Sequence, residues 1–115
     1  MREKHFLSRR VVVGGLTHKL SIVSLNDGVL TSVEPFSEET QNVVYTPGVL
    51  IVVANVSAAA IESQLSLLIS GDEDATIENV GKWMNKDRSL FACVGKPVSL
   101  YEIDCSKREW RRVIM

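Results

Sequence analysis

The longest apolar run in the chain lies at residues 43–56. Its second half, residues 49–53, is apolar at every position, which predicts a strand that is covered on both faces. Pro47-Gly48 comes directly before this half, and proline cannot donate to a sheet ladder, so the run is predicted to divide into two pieces there. We therefore expect residues 43–56 to form the central buried element of the fold.

A helical period replaces the strand pattern after this run. Apolar residues recur at spacings of three and four from Ile61 to Ile69, which predicts a helix over about 57–70 that ends at Gly71. A second helix is predicted over about 75–85, preceded by the acidic triplet Asp72-Glu73-Asp74, which suits the positive end of a helix dipole. The middle of the chain is thus predicted to be helical.

Both ends of the chain carry strand patterns instead. The Gly14-Gly15 and Asp27-Gly28 pairs favour tight turns between the first three strands. On the third strand, the face that carries Val29, Thr31 and Val33 is expected to be the buried one. The predicted strands are 5–13, 18–25, 29–36, 90–94, 98–104 and 109–114, besides the central run. The fold class is therefore α+β, a mainly antiparallel β-sheet or sandwich from both chain ends with two helices in the middle.

Composition adds limits on size and location. A chain of 115 residues with 45% hydrophobic residues is expected to form a single domain over residues 1–115. Its 13 Lys and Arg against 14 Asp and Glu speak against a nucleic-acid-binding module, which is normally basic. No apolar run is long and unbroken enough to predict a membrane span or a signal peptide, and the cysteine usage suits a reducing compartment. We expect a cytoplasmic protein that binds neither nucleic acid nor membrane.

Few residues offer chemistry. His5 and His18 lie on neighbouring predicted strands, but no metal-binding spacing of histidine or cysteine is present, so neither a metal site nor a cofactor is predicted. Cys93, in the sequence Phe-Ala-Cys-Val, is typical of a buried and inert thiol, whereas Cys105 is expected to be more exposed. His5, His18 and Cys93 are the candidates for a pocket, and no catalytic residue is assigned.

Carboxylates supply one further possibility. Glu102 and Asp104 are two positions apart on a predicted strand, where they share a face and could act on one substrate by general acid and base catalysis. The acidic triplet before the second helix is better explained by helix capping. These carboxylates do not by themselves predict an enzyme.

Short motifs near both chain ends occur in an order that is found in one enzyme family. They are the Asp27-Gly28 turn, residues 33–36, Val43-Val44, Pro47-Gly48 with residues 49–51, and residues 95–104. This order resembles the small composite β-sheet domain of metal-dependent amidohydrolases. In that family, two metal-binding histidines follow the Pro-Gly motif and a catalytic barrel separates the two parts of the sheet.

The chain departs from that family where its chemistry lies. Val52, Val53 and Ala54 stand where the resemblance would place the metal-binding histidines, and only the two predicted helices fit between the sheet segments. The resemblance therefore implies a stand-alone version of the β-sheet domain, without the barrel, the metal ligands or the enzyme.

Two functions follow from these patterns. The first is a non-catalytic small soluble domain that acts by binding or assembly, through protein interaction or self-association at exposed strand edges. The alternative is a small metal-independent ligand-binding protein or hydrolase-like enzyme with a pocket between helix and sheet. The identity of a small-molecule ligand does not follow from the sequence.

Overall fold

The computed structural model describes residues 3–38, 42–54, 58–86 and 94–113, and of Ala58 the backbone alone. The predicted Cys93 and most of the predicted strand at 90–94 lie outside these residues. The elements follow the order β1 (Glu3–Val13), β2 (Leu16–Asn26), β3 (Val29–Pro35), β4 (Val43–Ala54), α1 (Ala58–Leu68), α2 (Glu73–Lys86), β5 (Val98–Asp104) and β6 (Glu109–Arg112). The predicted α+β class is confirmed, with both helices between β4 and β5.

The strands form one mixed sheet in the order β3-β2-β1-β4-β5-β6. Four of the five neighbouring pairs are antiparallel, as predicted, and both ends of the chain contribute strands. The exception is the parallel pairing of β1 with β4 at the centre of the sheet. A single sheet, and not a sandwich of two, is therefore the architecture of the described residues.

The sheet curls until the start of β3 lies against the segment before β5, although these two strands are not neighbours in the sheet. Val29 at the start of β3 forms a bridge with Pro97, just before β5. The Leu30 N–H donates to the Lys96 carbonyl at 3.1 Å, and the Val98 N–H donates to the Gly28 carbonyl at 3.0 Å. This seam turns one face of the sheet inward, so that the inner face encloses a core of its own.

Apolar side chains fill both faces of the sheet. The helices cover a cluster that includes Val12, Val49, Ile51, Val53, Ile61, Leu65, Ile77, Val80, Met84, Tyr101 and Ile103. The curled inner face holds Phe6, Val11, Val23, Leu25, Leu30, Leu50, Val52, Val98, Leu100 and Val113. Residues 49–53 alternate between the two clusters, which confirms that this part of β4 is covered on both faces.

The predicted buried face of β3 is wrong at its start. Leu30 is fully buried in the inner cluster, whereas Thr31 is exposed. The pairing with β2 shifts by one residue here, because Ser24 pairs with Ser32 while Leu25 pairs with Leu30. An extra residue in one strand reverses the alternation of faces beyond it. The shift lets both Leu30 and Val33 face the inner cluster.

Pro47-Gly48 bends β4 but does not divide it, contrary to the prediction. Ser8 of β1 pairs with Thr46 and Arg10 pairs with Val49, so Pro47 and Gly48 together lie opposite the single residue between Ser8 and Arg10. This is a β-bulge, and proline is tolerated at bulges because the ladder bond is already interrupted there. The strand therefore continues through the bulge from Val43 to Ala54.

Candidate functional site

The two histidines lie far apart. His5 pairs with Ser24, and its Nδ1 is 2.8 Å from the Ser24 hydroxyl, whereas His18 pairs with Val11. His5 and Val11, which pairs with His18, are six positions apart on β1, which corresponds to about 20 Å along an extended strand. The histidines thus share no pocket, and Cys93 lies outside the described residues. Within the described part of the chain, no three His, Cys, Asp or Glu side chains are grouped as metal ligands would be.

A polar groove lies between the start of α2 and the hairpin of β5 and β6. Its volume is about 510 Å³, and it is open to solvent on one side. Its walls include the β4 bulge and the side chains of Arg9, Glu73, Glu102, Lys107, Trp110 and Arg111. The groove brings positive and negative charges into one concavity between helix and sheet.

Glu102 is the buried charge of this groove. Its side chain is only 7% exposed, and its Oε1 accepts a hydrogen bond from Arg111 Nε at 2.5 Å. Its Oε2 accepts a hydrogen bond from the Gly48 N–H at 2.8 Å. Since both oxygens are occupied, the carboxylate ties the β4 bulge to β6. These two hydrogen bonds explain the burial of the Glu102 carboxylate by a structural role.

Asp104 also lines the groove, as predicted for a carboxylate that shares a face with Glu102, but it has hydrogen-bond partners of its own. Its Oδ1 accepts the Ser106 hydroxyl at 2.7 Å and the Lys107 N–H at 3.3 Å. These two hydrogen bonds, with that of Ser106 the stronger influence, lower the pKa of Asp104 below its usual value. The carboxylate is thus held in its charged form in the turn after β5.

Cys105 is the cysteine that the structure describes, and its predicted greater exposure relative to Cys93 stays a prediction because Cys93 lies outside the described residues. Cys105 is partly buried and packs against the helix-side cluster. Burial raises the pKa of the thiol, although a hydrogen bond with Thr76 acts in the opposite direction. A raised pKa leaves little thiolate at neutral pH, so Cys105 is a poor nucleophile.

The first part of β4 has an open edge. Residues 43–46 pair with β1 on one side. On the other side β5 pairs only with residues 49–54, so in the described ranges no strand covers the outer edge of residues 43–46. The side chains of Val44 and Tyr45 on this edge are 54% and 53% exposed. A row of backbone donors and acceptors is therefore available beside exposed apolar side chains.

Other strand edges are closed in part or carry charged residues, such as Lys19 on the end of β2 beyond its pairing with β3 and Glu34 on β3. The start of β3 is closed by the seam with residues 95–98. At the opposite end of the sheet, β6 has only four residues, and three of them are charged, namely Glu109, Arg111 and Arg112. Short length and charge are two common means by which proteins prevent edge-to-edge pairing. The open edge of β4 has no charged residue at positions 42–46.

A small apolar patch lies on the outer face of the sheet beside this edge. Leu7 pairs with Ile22 on one side and with Tyr45 on the other, so the three side chains lie in one row. Ile22 is only 3% exposed but belongs to neither core cluster. Leu20 and Phe36 are exposed nearby, where the Phe36 N–H donates to the Leu20 carbonyl at 3.0 Å. The patch therefore extends the apolar character of the open edge.

Sequence reasoning gave strand edges as an interaction surface without saying which edge is open. The signal that was present is the uncharged stretch Asn42-Val43-Val44-Tyr45-Thr46 beside Pro47.

None of the helices described in the structure is long and apolar enough to span a membrane. No protein-family model, no curated protein and no solved structure matches the chain.

Proposed function

We propose that the protein is a non-catalytic domain that acts by binding another protein chain, or a copy of itself, at the open edge of β4. The observation that carries this proposal is the contrast among the strand edges. The β3 edge is closed by the seam at its start and carries Glu34 beyond it, and Lys19 lies on the end of β2 that β3 does not cover. The β6 edge is charged as well, whereas residues 43–46 are uncharged and open among the described residues.

Strand addition is the mode of binding that this edge supports. An incoming extended chain would form main-chain hydrogen bonds with residues 43–46, while Val44 and Tyr45 would contact alternate side chains and supply selectivity. Pro47 has no N–H, which sets the end of the ladder. The partly exposed Leu7, which lies beside Tyr45 on β1, would enlarge the contact on the same face.

Photocrosslinking in the native cells tests this proposal. A benzoylphenylalanine in place of Tyr45 is expected to form a discrete crosslinked product, because the edge contacts a partner. The same group in place of Leu67, which is 78% exposed on α1, is the matched control. Equal or absent crosslinking at the two positions would contradict the proposal.

Ligand binding in the groove is a second candidate function, favoured by the volume and the charges of that groove. A volume of about 510 Å³ is typical of small-molecule sites, and Arg9, Lys107 and Trp110 offer charge and an aromatic surface. A thermal-shift screen of charged metabolites tests it. The candidate requires a rise in the melting temperature that is lost in the Lys107→Ala variant, and a screen without such a rise argues against it.

The resemblance to the amidohydrolase β-sheet domain and the cytoplasmic location stay predictions. A sheet built from both chain ends is shared by many unrelated proteins, so the architecture does not establish ancestry. The resemblance supports the proposal in one respect, because it carries no catalytic residue over to this chain.

A further inference from the structure

We infer that the occupant of the open β4 edge is a second copy of this chain, paired antiparallel through residues 43–46 about a twofold axis. The inference rests on the proposed function and specifies its partner. Three properties of the edge favour a copy of the chain over an unrelated extended peptide: its charge, its symmetry and its rigidity.

Charge is the first property. In antiparallel pairing of a strand with its own copy, the side chain at the twofold axis lies opposite its own counterpart, so a charged side chain at the axis would face a like charge. Residues 42–46 carry no charge, while β6 carries Glu109, Arg111 and Arg112. The β4 edge therefore brings no like charges together whichever of its residues lies at the axis, whereas β6 would do so with Arg111 at the axis.

Symmetry is the second property. Two copies of a strand that pair antiparallel, side by side in one sheet, are related by a twofold axis perpendicular to the sheet. Such an axis keeps the outer faces of both copies on the same side. It places either Tyr45 opposite the second Tyr45, or Val44 opposite the second Val44. A pair of aromatic side chains is one of the combinations that stabilise antiparallel neighbours.

Rigidity is the third property. Residues 43–46 are already held in an extended conformation by β1, and the hydroxyl of Thr46 donates to the Leu7 carbonyl at 3.0 Å. Two such edges meet without ordering either backbone, whereas a free peptide loses the conformational entropy of every residue that it adds. A short edge of this kind thus suits a folded partner better than a flexible one.

Sedimentation equilibrium of the purified chain over a wide concentration range tests the inference. The wild type is expected to form dimers, and Tyr45→Lys is expected to weaken the association at least about tenfold, because it places two ammonium groups near the axis. Leu67→Lys introduces the same charge on the exposed face of α1 and should leave the association unchanged. Circular dichroism shows whether each variant is folded. A wild-type chain that stays monomeric overturns the inference.

Cysteine crosslinking provides a test that does not depend on weakening the fold. In a background with Cys93→Ser and Cys105→Ser, either Tyr45→Cys or Val44→Cys should form a disulfide-linked dimer on mild oxidation, since residues opposite each other in antiparallel strands lie within disulfide range. Leu67→Cys should not. Failure of both edge variants overturns the inference.

The partner found by photocrosslinking at Tyr45 separates this inference from the proposed function. A crosslinked product of twice the chain mass supports a second copy of the chain as the partner. A discrete product with a different protein overturns the inference that the partner is a second copy, but still supports binding at the edge. The absence of any product specific to Tyr45 contradicts both.

Discussion

Replacing Gly48 by alanine tests the packing of the β4 bulge against β5. A Cβ at this position would collide with the backbone carbonyl oxygen of Ile103 and would lie 2.9 Å from Cγ of Glu102. The carbonyl belongs to the neighbouring strand and cannot rotate away as a side chain can. We therefore expect β4 and β5 to separate locally in the Gly48→Ala variant.

The cost can be worked out from two contributions. Overpacking in a well-packed region costs about 1–3 kcal/mol. The hydrogen bond from the Gly48 N–H to the Glu102 carboxylate is charge-assisted, and its loss would cost about 1.5–3 kcal/mol. Because one displacement relieves the collision and stretches the bond, the two contributions overlap. The expected loss is about 2–4 kcal/mol of unfolding free energy.

Gly81→Ala is the matched control, with the opposite expected sign. Gly81 lies inside α2, and an added Cβ would meet only the Gly15 carbonyl oxygen, at an ordinary contact distance of 3.8 Å. Alanine in a helix interior is about 0.5–1 kcal/mol more favourable than glycine. Urea denaturation at one fixed protein concentration measures both changes. A loss below about 1 kcal/mol in Gly48→Ala would refute the reasoning.

Three further predictions concern the groove and the core. Glu102→Leu should destabilise the fold by about 1–3 kcal/mol more than Glu102→Gln in urea denaturation, because leucine leaves the partly buried Gly48 N–H without an acceptor while glutamine retains one. Leu65→Ala, at a fully buried position on the face of α1 that packs against the sheet, should cost about 2–5 kcal/mol in the same assay. The raised pKa of the Cys105 thiol favours folding while the thiol is neutral, and this contribution is lost as the pH rises through the folded-state pKa. Cys105→Ala should therefore show a smaller loss of stability between neutral and alkaline pH than the wild type.

Local signals predicted the elements well where one residue type determines the backbone. The Asp27-Gly28 turn joins β2 to β3, and both residues have positive φ values, 52° and 80°. The helices begin and end within about two residues of their predicted bounds, because apolar spacing and Gly71 act locally. The unbroken apolar run at 49–53 also indicated correctly that the strand is covered on both faces.

Pairing between distant strands escaped prediction. The parallel contact of β1 with β4 and the seam between Val29 and Pro97 depend on the whole sheet, and no local pattern encodes them. The bulge at Pro47 was missed for a related reason. A proline disqualifies a central strand only where its N–H is required by a neighbour, and that depends on where β5 ends. For the candidate site, the sequence suggested strand edges in general, while the open edge emerged only from the strand order.

The bulge and the open edge are parts of one structural feature. Pairing between β4 and β5 stops at Val49 and Ile103, and the next N–H of β4, that of Gly48, donates to the side chain of Glu102 instead of to a strand. The side chain of Glu102 thus takes the place of the β5 backbone as the hydrogen-bond acceptor at the point where the ladder ends. The residues before Gly48 continue along β1 alone, which leaves their outer edge open in the described chain. It follows that Gly48→Ala should disturb self-association as well as stability, whereas Gly81→Ala should affect stability alone.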